Sequence, residues 1–120
     1  SAQFNLLGGT YSAIGDFDLA VKARDEARNK KIPVHVGQIL SADVFYDDNP
    51  DAWKKWARLG VLGVEMESYA LYTTAAKLGK KALCLLTVSD SFTDHSRIAT
   101  VEERQLGLAQ MVKVALEIAE

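Results

Sequence analysis

Apolar residues recur at helical spacing in some stretches of this chain and run continuously in others, with Gly and Pro between them. From Asp16, the residues Phe17, Ala20, Val21, Ala23 and Ala27 fall at helical spacing, with Lys22, Arg24, Asp25 and Glu26 between them. Asp16 or Asp18 can cap this helix, and Asn29, Lys30 and Lys31 suit its C-terminal end. Pro33 forbids continuation, and a strand is predicted over 34–40. After the polar turn at Asp47, Asp48 and Asn49, Pro50 fits the first position of a helix capped by Asn49. That helix carries Trp53, Trp56 and Leu59, and Gly60 stops it. A short apolar strand follows over 61–64. Glu65, Met66 and Glu67 then lead into a helix over about 68–78, closed by Gly79. Residues 82–88 form a continuous apolar run, the pattern of a strand buried on both faces. A polar loop over 91–99 precedes the last helix. Thr100 followed by Glu103 is a capping-box pattern there, and Leu106, Ala109, Val112 and Leu116 supply an apolar face.

Strands alternating with helices predict an α/β domain with covered sheet faces. A sheet of these strands alone has an exposed edge, so the chain reads as part of a larger sheet. The first fifteen residues are rich in Gly and Ser and have no clear period. They read as a loop or as a strand separated from its neighbours.

Composition narrows the function. The chain has 120 residues, 48% of them hydrophobic, enough for one small domain that buries roughly two thirds of its unfolded surface. Net charge is -2, with Lys and Arg scattered among Asp and Glu. Neither nucleic acid nor an anionic membrane is expected as partner. No segment is long enough to span a bilayer and no signal peptide opens the chain, which makes the cytoplasm the expected location. Cys84, the single cysteine, sits in an apolar run and reads as a small core residue; a reactive thiol would need a basic partner that the local sequence lacks. His35 and His95 have no metal-ligand spacing, and no metal or cofactor is expected. Gly8, Gly9 and Thr10 are too short a run for a phosphate cradle.

In open α/β folds, ligands sit beyond the carboxyl ends of strands. Three polar segments occupy such positions: 41–46, 65–68 and 89–90. Glu65 and Glu67 flank Met66 directly after an apolar strand. Two carboxylates accept hydrogen bonds without donating, which suits a ligand with several hydroxyls such as ribose. The other reading is a solvated helix start, where acids are favourable. Ser89 and Asp90 follow the strand at 82–88. Asp90 is either a proton donor to a leaving group or a cap for the next turn. Phe45 and Tyr46 offer flat faces for an aromatic base or for core packing. Arg104 is a cation in the first turn of a helix, where acids are the favourable charge. A loop returning it toward Asp90 gives it a partner; otherwise it is an exposed arginine.

Four segments in this order resemble the bacterial hexameric purine nucleoside phosphorylases: Ser41-Ala42-Asp43-Val44-Phe45-Tyr46, Gly63-Val64-Glu65-Met66-Glu67, Thr87-Val88-Ser89-Asp90 and Glu102-Glu103-Arg104-Gln105. The second and third are shared with nucleoside hydrolases of the same superfamily, and the first and fourth favour the phosphorylases. The resemblance covers essentially the whole chain. It implies an α/β fold with a mixed β-sheet, partly closed into a barrel and flanked by helices, of which these residues form the C-terminal portion. The implied reaction converts a purine nucleoside and phosphate to purine base and ribose 1-phosphate, with phosphate as co-substrate and no cofactor.

The resemblance also implies residue roles. Phe45 stacks on or borders the purine, with Val64 beside it and Ser89 lining the base pocket. Met66 packs under the ribose, Glu67 binds its hydroxyls and Glu65 lies along the same wall. Asp90 is the general acid toward purine N7, and Arg104 assists by approaching Asp90. The family assembles as homohexamers. Two local departures bear on the reach of Arg104: Ser91 stands where many members have His, and the loop over 91–99 is about one residue longer than in some. The Gly-Asp-Pro segment and arginines that hold phosphate in the family's N-terminal half are not found in this chain, nor are the histidine and arginine that complete a neighbour's site. The chain by itself is therefore expected to lack phosphorolytic activity, as a fragment or as one of two associating pieces. The competing expectations are a related purine nucleosidase that uses water, and a non-catalytic piece kept for binding or assembly. The preferred purine is left open, since 6-oxo and 6-amino bases can both meet Asp90.

Overall fold

In the computed structural model, which describes residues 8–44, 48–93 and 99–119, two short strands pair side by side. They are β1 (Ile39–Ser41) and β2 (Gly63–Glu65). The ladder is parallel, with Ile39 opposite Gly63, Leu40 opposite Val64 and Ser41 opposite Glu65. Backbone bonds extend it at both ends, from Leu62 N to Gln38 O (2.9 Å) and from Ala42 N to Glu65 O (2.8 Å). Parallel strands need a crossover, and here it carries α2 (Trp53–Arg58). The other helices are α1 (Phe17–Asn29), α3 (Ser68–Lys77) and α4 (Val101–Ile118). The α/β class follows. The sheet of the described residues is open and two-stranded.

The strand expected over 34–40 is laddered only from Ile39, and 82–88 forms no ladder. A strand exists only where a second strand takes up its backbone groups. For most of these positions no described residue does. The side chains follow the same logic. Val88, expected to be buried on both faces, is 78% exposed, and Phe17 and Leu116, expected on core-facing stripes, are 77% and 72% exposed. Among the described residues, the buried apolar side chains are the small Ala23, Ala27 and Val114.

Helix ends explain why the elements stop where they do. After α3, Gly79 takes φ 65°, and Lys80 N bonds Ala75 O (2.8 Å) while Gly79 N bonds Ala76 O (3.2 Å). This paired pattern is the Schellman motif. Gly60 repeats it after α2 at φ 83°, with Val61 N on Trp56 O and Gly60 N on Ala57 O. α1 ends the same way without glycine: Lys31 has φ 58°, Ile32 N bonds Ala27 O and Lys31 N bonds Arg28 O. The start of α2 differs from the expected helix that is capped by Asn49 and begins at Pro50. Asn49 Oδ1 accepts from Asp51 N (2.9 Å), and bonds of i to i+3 type link Asn49 to Ala52 and Asp51 to Lys54. These tighter turns occupy 50–52, so the α-helix begins at Trp53.

The chain divides into two units, one from Ser1–Phe17 with Gly37–Leu83 and one from Asp18–Val36 with Cys84–Glu120. The first holds β1, α2, β2 and α3. Within it, Asp16 N bonds Ala82 O (2.8 Å), and a Cβ on Gly15 would stand 2.9 Å from the Tyr72 hydroxyl. The second unit holds α4 and all of α1 after its first residue. In that unit a Cβ on Gly107 would stand 2.5 Å from Thr87 Cγ2, and the Thr87 hydroxyl lies 3.6 Å from Met111 Sδ.

Candidate functional site

In the first unit, the polar residues gather where β2 passes into α3. The ladder register sets Ser41 beside Glu65 at the carboxyl ends of the two strands. Glu65 Oε2 accepts from the backbone N–H of Glu67 (2.5 Å) and of Ser68 (2.8 Å). The Ser68 hydroxyl donates to Glu65 Oε1, and Ser41 stands opposite this residue in the ladder. Partial burial raises the Glu65 carboxyl, but the bonds from Ser68, Glu67 and Ser41 together outweigh it and hold the pKa below its ordinary value. Glu65 thus satisfies two of the four orphan N–H groups that open α3, those of Glu67 and Ser68, although Glu67 is the formal N-cap. Of the two sequence readings of Glu65, the helix-start geometry is the one formed here.

Glu67 makes no side-chain bond to the helix end, and its side chain is exposed. Met66 is exposed and Val64 half-buried. An exposed carboxylate on a backbone whose N–H is fixed is a good acceptor for vicinal hydroxyls.

In the second unit, Ser89 O accepts from Ala99 N at 2.9 Å, which closes the loop between them at its base. Thr100 then caps α4. Its Oγ1 accepts from Glu103 N (3.1 Å), and Glu103 Oε1 accepts from Thr100 N (3.3 Å). With the loop pinned at Ser89 and the helix start fixed at Thr100, Arg104 faces Asp90: Nη2 stands 4.0 Å from Oδ1. Both side chains are about half exposed. A proton donor with an adjacent guanidinium can protonate a leaving group while the cation steadies the carboxylate that remains.

Phe45 falls outside the described residues, as do Tyr46 and His95. The structure therefore brings Ser41, Glu65 and Glu67 together in one unit and Ser89, Asp90 and Arg104 in the other. Two hollows occur elsewhere among the described residues. One of about 310 Å³ is bordered by Ile14, Tyr72, Lys80 and Ala82, and one of about 460 Å³ by Lys22, Glu26, Asn29 and Glu117. Neither is lined by a residue expected to touch a ligand. Among the described residues, no group of three or more His, Cys, Asp or Glu could hold a metal ion, and no helix is long and apolar enough to cross a membrane.

Sequence reasoning gave Ser41 and Ser68 no role. The signal for Ser68 was local, a hydroxyl three residues after Glu65. Ser41 depends on strand register, which no local pattern reveals.

Comparison with known proteins adds to this geometry. Residues 2–120 match the Phosphorylase superfamily. A DeoD-type purine nucleoside phosphorylase of Thermoanaerobacter sp. (strain X514) is 51% identical over 118 residues, 98% of this chain and 49% of that protein. One of Alkaliphilus metalliredigens is 50% identical over 113 residues, covering 94% of this chain and 48% of its own length. A type 2 protein of Vibrio cholerae is 44% identical over 112 residues, 93% of this chain and 47% of its own. The chain spans about half the length of the curated relatives it matches.

Proposed function

The chain belongs to the phosphorylase superfamily, and from that premise we propose that it works as a purine nucleoside phosphorylase and carries residues for the base and ribose of the substrate. Phosphate is the second substrate and no cofactor is used. A phosphate oxygen attacks the anomeric carbon, the bond from that carbon to purine N9 breaks, and ribose 1-phosphate and free base result. Purine leaves poorly as an anion and far better once protonated. Asp90 supplies that proton at N7, a contribution of ~10²–10⁴-fold for a positioned acid. Arg104 steadies the carboxylate left behind. As the bond breaks, positive charge grows on the ribose, and the carboxylate of Glu67, on the ribose hydroxyls, favours it. Met66 packs under the sugar, Glu65 belongs to the same wall, and Phe45, Val64 and Ser89 border the base.

The observation that carries this proposal is the pairing of Asp90 with Arg104 at 4.0 Å in a chain half identical to proteins named purine nucleoside phosphorylase. The finer features of the proposal are a sheet that closes partly into a barrel in the complete fold, a homohexameric assembly and a cytoplasmic location. Incubating the protein with inosine, with and without phosphate, tests it. Hypoxanthine and ribose 1-phosphate formed only with phosphate agree with the proposal. Free ribose in both samples makes the protein a hydrolase, and no cleavage in either agrees with the expectation that this chain by itself lacks phosphorolytic activity.

A further inference from the structure

Glu65 has little acceptor capacity left for a sugar. An ionised carboxylate offers about four lone-pair sites and donates nothing. Three donors already meet it, Glu67 N–H, Ser68 N–H and the Ser68 hydroxyl, and the Ser41 hydroxyl stands across the ladder as a further donor. Ser68 is buried, and Ser41 is half-buried on the neighbouring strand. The carboxylate therefore ties three places together: the end of β1 at Ser41, the end of β2 at its own backbone, and the first turn of α3 at Ser68. Between the last two stands Glu67. Its N–H and the N–H after it are both held by Glu65 Oε2, which fixes the direction in which the Glu67 side chain leaves the backbone.

We propose that Ser41, Glu65 and Ser68 form a clamp that positions Glu67, and that Glu65 acts on the ribose only through Glu67. Glu65 is thus a positioning residue of the nucleoside site, not a ligand of the sugar. This rests on the proposed role of Glu67 as the acceptor for ribose hydroxyls. Positioning is worth most where reacting groups must meet within a fraction of an ångström, so a small rotation of Glu67 is felt as lost affinity for the sugar and not for the base.

Calorimetry with the 120-residue protein tests the clamp, with inosine and hypoxanthine as probes. Wild type binds inosine more tightly than hypoxanthine. In Glu65→Gln, inosine affinity falls about tenfold, the loss of a charge-assisted bond network, while hypoxanthine affinity stays within about twofold. Ser41→Ala, which keeps every charge and leaves α3 untouched, gives the same pattern at smaller size, and Ser41→Thr restores wild-type binding. In a Glu67→Gln background, adding Glu65→Gln costs less than about twofold, because the path through Glu67 is already cut. A full loss in that background overturns the clamp and makes Glu65 a direct sugar ligand. Equal losses for inosine and hypoxanthine overturn it in favour of a general structural role. Wild type failing to prefer inosine overturns the proposed function itself, and does so before any variant is made.

Discussion

Arg104 Nη2 lies 4.0 Å from Asp90 Oδ1, with both side chains about half exposed to solvent. An exposed pair at that distance stabilises a fold by only ~0–1 kcal/mol. Under the proposed function its value lies in chemistry. Where the protein turns over inosine, alone or with an associating piece, Arg104→Gln should lower that turnover at least about tenfold, by withdrawing charge from the proton donor. Its urea midpoint should stay close to wild type. A large drop in stability with unchanged turnover would make the pair structural.

α4 is held to the segment before Asp90 by a close approach. A Cβ on Gly107 would stand 2.5 Å from Thr87 Cγ2. Helix propensity alone predicts that Gly107→Ala gains ~1 kcal/mol. The contact predicts a net loss of ~1–2 kcal/mol, because Thr87 must move. Thr87→Ala in the same chain should recover most of it. Chemical denaturation of the two variants reads the sign directly.

Lys31 occupies the left-handed position that Gly60 and Gly79 take after α2 and α3. A residue with a Cβ pays about 1 kcal/mol there. Lys31→Gly should raise stability by a similar amount in urea denaturation, offset by a few tenths for the looser unfolded chain. No gain would mean that the Lys31 side chain contributes more than its strain costs.

These helix ends show what was legible in the sequence. Gly60, Gly79 and the Thr100–Glu103 box are local signals, and the structure forms all three. Lys30 and Lys31 carry charge suited to a helix end. The turn at Lys31 is not legible in the sequence, because lysine carries no preference for positive φ. The strands were less legible. Residues 34–38 and 82–88 have strand composition, yet a ladder depends on a neighbour that no local pattern names. Glu65 sat between two readings for the same reason: its partner Ser41 is set by register, and register is a property of two strands. The approach of Arg104 to Asp90 was open to sequence reasoning through its misplaced charge, since a lone cation in a helix's first turn wants an acid.

Glu65 also makes a prediction about acid. Its folded pKa lies below the ordinary value of 4.5, because its donors outweigh partial burial. A depressed carboxylate contributes stability that is present above the unfolded pKa and is lost as pH falls through the folded one. Wild-type stability should therefore decline as pH drops below about 4.5, and Glu65→Gln should show a shallower decline over the same window. Urea midpoints measured from pH 6 downward compare the two. Parallel curves would mean that the carboxylate is not clamped in solution.

Asp90 as the acid toward purine N7 is the centre of the account. A nucleoside already methylated at N7, such as 7-methylguanosine, carries the positive charge that protonation would create, so its base leaves without a donor. Measured where the protein turns over inosine, alone or with an associating piece, Asp90→Asn should lose ~10²-fold or more on that substrate. It should keep turnover of 7-methylguanosine within about threefold of wild type, since a loss that small corresponds to no missing proton-transfer step. Equal losses on the two substrates would contradict a proton-donating role and leave Asp90 as a binding or structural residue.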